Sequence, residues 1–487
     1  MRTKFAILLT IAAVCVTTAW AGWSPEGQIT SNRLNNDLRV NINHKVVVAS
    51  NGVRHLVWFD GKQTTVYYKR YYTSSGWTPD YRLTTITNSW FPSIALDANG
   101  TDIHVVWDGD GGPKKNTSKH IYYQKCVPGS SGNGGWVGTP RDLTPNGYNC
   151  RAPVVADFRD GNNVDHVVVA WFVHNKDTVG FCECVAGNWG APQYFHVPSG
   201  TAAWSASIAV DPQTRHGDVF ISCTAMDVPD SPVFVRRRID GVWQQWEDAT
   251  TNENVDCYMP VIEVDPSTGY PHIVCSCVGT KRVYHTYCDP VGGWQPLEMV
   301  SSAGVVYSQM PSMSFSGGSA FVVWAESSSG SDRGIRYIAG NYGNWSTPAW
   351  VTSGYSDEYP SVTARSNGDV YVVWKDGRNG QIWGRLYAPG TGGGQAQPTA
   401  LSQSRIELFP NPAKAGRVTV QYSLPRAEPV RVTLLDVSGR AVRTQEVSAT
   451  DRSGSFNVDV SGLNAGVYVA RLVAGDLSVS KSLVVER

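Results

Sequence analysis

The apolar runs of this chain are short, rich in β-branched residues and evenly spaced. HLVW (55–58), HVVW (104–107), VVVAW (167–171), FVVW (321–324) and YVVW (371–374) each end on Trp. VFISC (219–223) and HIVC (272–275) end on Cys in the same place. Runs this brief, bounded by Gly, Asn and Asp, predict strands and tight turns rather than helices. The closing residues fall at 58, 107, 171, 223, 275, 324 and 374, so one pattern returns about every 50 residues.

Two further markers interleave with the first. A Trp following a Gly- or Asn-rich turn stands at 23, 77, 136, 189, 243, 294 and 345. An apolar run usually opened by Pro precedes the closing Trp or Cys: FPSIAL, RAPVVA, MPVIEV, MPSMSF and YPSVTA. A period near 50 is too short for an immunoglobulin-like sandwich and fits four short strands, one blade of a β-propeller. Residues 22–389 give about 53 residues for each of seven repeats. The expected fold is therefore all-β, a seven-bladed β-propeller with six blades as the alternative. The Trp-turn marker comes first at the N-terminus and is missing after the seventh repeat. The N-terminal strand should thus join the last blade and close the ring, which removes exposed sheet edges.

Composition then sets limits. The 41 basic and 41 acidic residues cancel, which argues against a nucleic-acid partner. Residues 1–21 (MRTKFAILLTIAAVCVTTAWA) carry a basic start, an apolar run and an Ala-x-Ala site, the pattern of a signal peptide. The run is too short for a membrane span, and no other segment is long and apolar enough. Export permits disulfides. Nine cysteines remain after Cys15 is removed, so at least one thiol lacks an intrachain partner. Cys182/Cys184 and Cys275/Cys277 place two thiols on one strand face each, but on blades separated by another. No metal is therefore expected, and Cys223 and Cys275, in the Trp register, should be buried thiols. No cofactor motif is present.

A Gly/Pro-rich linker spans 390–402. Beyond it, 403–487 contains no Trp or Cys and carries 11 basic against 8 acidic residues. Its alternating runs predict a small immunoglobulin-like β-sandwich. FPNP (409–412), VTLLDVSGR (432–440), LNAGVYVARL (463–472) and the closing strand resemble the C-terminal sorting domain, type A, of type IX secretion cargo. That resemblance implies a secreted or bacterial cell-surface protein and the type IX secretion machinery as a partner.

In a propeller, the loops leading into each blade and those joining second to third strands gather on one face. The latter carry Asp60, Asp108, Glu326 with Arg333, and Asp376 with Arg378. The former carry Trp90, Arg151, Trp204, Asp357 and Glu358, with Tyr148, Tyr258, Tyr307 and Tyr359. Carboxylates, arginines and aromatic platforms suit a glycan ligand. Asp-Gly at 60–61, 108–109 and 376–377 is also a turn former in its own right.

Over 22–389 the repeats (PSIALDANG, HVVWDG, IYYQ, then Gly-Trp and Pro) resemble the sialidase-like, BNR-type, secreted propellers. That resemblance implies an arginine triad, a Tyr–Glu nucleophile pair and an Asp acid/base. Arg151-Ala152-Pro153 is similar to that family's Arg-x-Pro, but no Asp-box turn is present and no arginine triad can be assigned. The sequence ranks three functions. First is a binding or adhesion module for a glycan or a surface protein. Second is a glycan-cleaving enzyme, a glycoside hydrolase or a polysaccharide lyase. Third is a structural surface-layer component.

Overall fold

In the computed structural model, described residues run from 22 to 388 and from 405 to 486. Left out within them are 32–34, 39–43, 112–117, 130–131, 147, 199–201, 212–216, 227–230, 251–255, 290–291, 317, 328–332, 353, 415, 424–428, 437–439, 448–452 and 475–476. The leader and linker expectations lie outside them. The described secondary structure is all β, and no described helix is long and apolar enough to cross a membrane.

Residues 22–388 form seven antiparallel sheets with one plan. In the second sheet, an inner strand (Trp90–Leu96) pairs with the strand bearing the closing Trp (Ile103–Asp110), and that strand with a third (Lys119–Cys126). Outermost come Arg141–Asp142 and a bridge from Cys126 to Trp136. The seventh sheet borrows its outer strand from the N-terminus. Gly22 and Trp23 pair with Ala388 and Tyr387, and the Trp23 ring meets Tyr337 and Tyr387 at 5.1 and 5.4 Å.

Hydrogen bonds join neighbouring sheets around a closed circuit. Ile94 N donates to His44 O (second to first, 3.2 Å), Ala152 N to Asp108 Oδ2 (third to second, 3.0 Å) and Ala203 N to Lys176 O (fourth to third, 2.8 Å). Ile262 N donates to Ser207 Oγ (3.2 Å), Met310 N to Ser276 Oγ (3.1 Å), Val362 N to Ser312 Oγ (3.2 Å), and Lys45 N to Ser361 Oγ (3.0 Å). The last of these joins the first sheet to the seventh.

The closing Trp residues fill the space between sheets. Trp58, Trp107, Trp171, Trp324 and Trp374 are all fully buried, and so are Cys223 and Cys275 at the same register. The residue opposite on the third strand adjusts to each. Tyr67 and Tyr122 stack on Trp58 and Trp107, and Phe234 and Tyr284 supply bulk opposite the smaller cysteines. Opposite Trp171 stands Gly180, where a Cβ would lie 2.2 Å from the indole. Cys257 and Cys277 form a disulfide between an inner strand and its neighbour, and the other seven described cysteines are free and buried.

The tail holds a three-stranded sheet (Arg405–Phe409, Arg417–Ser423, Ser453–Asp459) and a four-stranded one (Ala441–Val447, Val430–Leu435, Gly466–Ala474, Leu477–Val485). Leu408, Val420, Val432, Leu434, Leu472 and Leu483 share one core. Asn411 of FPNP is bonded to the last strand, donating to Ser482 O and accepting from Val484 N, each at 2.9 Å.

Candidate functional site

Proline at the head of the inner strands marks a repeated break in pairing. Each of six sheets, the second to the seventh, shifts register there. At the break a non-glycine residue takes a left-handed backbone: Phe91 (φ 48°), Ala152 (47°), Ser205 (57°), Met259 (53°), Met310 (59°) and Tyr359 (53°). All but Ser205 precede Pro. Proline disfavours a helical residue before it and brings no ladder N–H, so an inner strand tolerates it at a bulge. A bulge turns the side chain beside it. The residue just before each left-handed position is Trp90, Arg151, Trp204, Tyr258, Gln309 or Glu358, and all six are half-buried. Strain of this kind concentrates at binding and catalytic sites.

One part of this rim opens into a cleft of about 400 Å³, lined by Arg333, Ser356, Glu358, Lys375, Asp376 and the glycines 377 and 380. Glu358 stands directly opposite Lys375 across the pair of strands and is ion-paired with Arg333. The Arg333 guanidinium lies 5.2 Å from the Tyr307 ring centre. Lys375 Nζ lies 3.6 Å from Asp37 Oδ2 and 5.9 Å from the Tyr359 ring centre. Asp376 is buried and ties down the turn, accepting from Arg378 N and Nε. Arg378 continues to Glu26 and lies between the Tyr355 and Trp383 rings, at 4.1 and 4.2 Å. Asp357 is buried behind the cleft, accepting from Thr352 Oγ1 and Gly377 N, and burial pushes its carboxyl up to about 6.

Arg333, Glu358 and Asp376 of the sequence candidates therefore share one cleft, with Asp357 and Arg378 bracing it. The others sit elsewhere. Asp60 is buried and caps its turn through Gln63 N at 2.6 Å. Glu326 is buried under Trp324 Nε1, Ser308 Oγ and Arg336 Nε, at 2.8–3.1 Å. Asp108 is fully buried, and desolvation raises its carboxyl to about 7 against the pull of Arg151. Trp90 stacks on Phe59 at 4.6 Å, and Trp204 packs on Phe172 at 5.0 Å.

Sequence reasoning missed Lys375, which directly follows the closing Trp374. It also missed His44. His44 Nε2, on the first sheet, meets Glu263 Oε1 of the fifth at 2.7 Å, and Nδ1 meets Val362 O of the seventh at 3.0 Å. This pair links sheets that are not neighbours in the ring. Behind it, Lys45 is buried, its Nζ 2.5 Å from Pro92 O, and burial lowers it to about 7. The described residues include one compact sulfur group, Cys257, Cys275 and Cys277, within 4.8 Å of one another. Two of these are the disulfide. Cys257 was not foreseen, since no Cys-x-Cys spacing announces it.

The chain resembles several solved structures at low identity. It is similar to the phage phi92 endosialidase (9% identity, TM-score 0.45, over 95% of this chain and 87% of that one). The polysaccharide lyase Uly1 aligns at 12% identity and TM-score 0.46, over 75% of this chain and 99% of that one. A six-bladed fungal lectin from Aleuria aurantia aligns at 11% and 0.40, over 62% and 92%. No curated protein matches the chain. Residues 407–486 match the family described as the secretion system C-terminal sorting domain. The resemblance read from FPNP and the strands after it is borne out, and the protein is a secreted or cell-surface one that carries a secretion-system sorting tail.

Proposed function

We propose that residues 22–389 are a seven-bladed, sialidase-like propeller and that the tail is an immunoglobulin-like sandwich that addresses it to the outside of the cell. On this reading the propeller binds a glycan at its loop face. The observation that carries the reading is the bulged rim. It sets half-buried Trp90, Arg151, Trp204, Tyr258 and Glu358 at one register of successive sheets, and the last of them lines the cleft with Lys375 and Arg333. Aromatic faces with neighbouring donors and acceptors suit sugar rings. The test is a glycan array probed with the mature full chain and with Glu358→Gln. Binding of a glycan class by the native chain, lost in the variant, supports the reading. Silence on the array together with capture of a cell-surface protein replaces the glycan by a protein ligand.

A second reading rests on one geometric fact. Glu358 and Lys375 face each other in an open cleft, with buried Asp357 behind them raised to about 6. A carboxylate with a cation beside it is the equipment of general acid–base chemistry on glycans. Release of reducing ends or unsaturated sugars from an array-positive glycan would turn the binding module into an enzyme.

A further inference from the structure

A second cleft, of about 450 Å³, lies between the first and second sheets. Asn51, Tyr72, Ser74, Thr101 and Asp102 contribute to its wall, and His55 lines it as well. Asn51, Thr101 and Asp102 belong to turns joining inner to second strands and Ser74 to one joining a third to an outer strand, while His55 and Tyr72 lie at the strand ends beside them. The strands run between those turns and the loop face, so the two clefts lie at opposite ends of the strands and share no residue.

His55 holds a fixed protonation state. Its Nδ1 is 2.7 Å from Tyr68 Oη, which is 2.5 Å from Arg70 Nε. A guanidinium only donates, so the Tyr68 oxygen accepts from Arg70 and gives its own hydrogen to Nδ1. Burial and the Arg70 charge press the imidazole down to about 3, so the ring is neutral. Its single proton therefore sits on Nε2, a tautomer assigned from this network. Nε2 makes no hydrogen bond among the described residues. Arg70 is itself fully buried, and its remaining partners are Tyr72 Oη, Cys126 Sγ and Gly134 O, none of them an acid.

The cleft thus offers an N–H donor at His55, hydroxyls at Ser74 and Thr101 that donate or accept, an amide at Asn51, a carboxylate at Asp102 and the Tyr72 ring. Asp102 is neutralised by Lys125 at 2.8 Å. Neither an anion nor a cation finds an unpaired opposite charge there, since Lys125 and Asp102 satisfy each other and the buried Arg70 is spent on Tyr68, Tyr72, Cys126 and Gly134. A neutral molecule with many hydroxyls needs neither, and it needs donors and acceptors in just this mixture. We infer that this cleft is a second binding site, separate from the loop face, for a neutral sugar ring.

The probes are the methyl glycosides of glucose, galactose, mannose and N-acetylglucosamine, with glucuronate as the anionic counterpart. Saturation-transfer NMR on the mature full chain reads binding. The expected result is millimolar binding of at least one neutral glycoside, with glucuronate at least fivefold weaker. Thr101→Trp, at an exposed position and filling the cleft, should abolish it, and Tyr72→Ala should weaken it at least tenfold. All of these are read in a Glu358→Gln background, which removes the loop-face site, so that the binding seen there belongs to this cleft. Absence of binding by every neutral glycoside overturns the inference. So does equal binding of glucuronate, or binding that survives Thr101→Trp.

Discussion

Asp108 and Lys375 occupy the same address in different sheets. Each directly follows a buried closing Trp, and each faces the residue that precedes a left-handed bulge, Trp90 for Asp108 and Glu358 for Lys375. Their surroundings differ. In the second sheet, Trp90 stacks on Phe59, and the next sheet lays Ala152 N on the carboxylate, so Asp108 has no exposed surface. In the seventh, the opposing residue is a charged Glu358 drawn towards Arg333, and the side chain of Lys375 keeps 21% of its surface exposed. The glycine at 377 packs so closely under the loop that a Cβ would lie 1.7 Å from Tyr355 O, which holds the turn back beside the cleft. The repeat fixes where a side chain is attached; the neighbouring sheet decides whether a ligand can reach it.

If the two sheets are equivalent as scaffold, removing either closing residue should cost the same. Trp107→Ala and Trp374→Ala are each expected to lose about 3–5 kcal/mol, measured by urea unfolding. A large loss in one and a small loss in the other would break the comparison at its base. Asp108 should act next through stability. Its carboxyl is raised to about 7 in the folded chain against about 3.9 unfolded. The proton is then held more tightly by the native state, so its contribution is full below about pH 4 and is lost as pH rises towards 7. Native protein should lose stability relative to Asp108→Asn over that window, with glycan binding the same in both. A flat difference between pH 4 and 7 would mean that the buried acid is already ionised.

Much of the ring was legible because its period is carried by bulky residues that tolerate few substitutes. Trp at 58, 107, 171, 324 and 374, and the turn Trp from 23 to 345, announce the strands without ambiguity. The prolines before the inner strands were read only as strand openers, although they mark the bulge that shapes the rim. The acids were harder. Asp60, Asp108, Glu326 and Asp376 look alike in the sequence, and all four are buried. Asp376 borders the open cleft described above, because burial there depends on the facing sheet and on loops of differing length. Lys375 was hidden by the same rule: the repeat offers Phe59, Asp108, Phe172 and Thr224 at its address, so nothing about the position alone signals a site. The His44–Glu263 pair and the Cys257–Cys277 disulfide depend on contacts between residues far apart in sequence, which no local pattern encodes.

The open half of the comparison is tested by function. Lys375→Met and Glu358→Gln should each weaken glycan binding at least tenfold, about 1.4 kcal/mol, with urea stability within about 0.5 kcal/mol of native. The same assay on Asp108→Asn should show native affinity. Loss of binding in Asp108→Asn alone would move the site from the seventh sheet to the second.

The smallest effect belongs to the pair that links the first and fifth sheets. His44 titrates above its ordinary range. Burial opposes this, and the Glu263 carboxylate with the Val362 carbonyl outweighs it. Lys45, one residue on, is the cation that works against it. A histidine whose proton is held more tightly in the folded chain stabilises fully below its unfolded value, near 6.5, and loses that contribution as pH rises through the folded value. Native protein should therefore exceed Glu263→Gln in melting temperature at pH 6, with the gap closing as pH rises above that value. His44→Gln should show no such convergence, since it keeps a neutral donor at every pH. Because both partners are partly solvated, with side chains 19% and 20% exposed, the gap should be about 1 kcal/mol or less. A gap that is constant from pH 5.5 to 9 would show that the contact is a neutral hydrogen bond, and that the ring is held by its Trp-filled interfaces and not by charge across its axis.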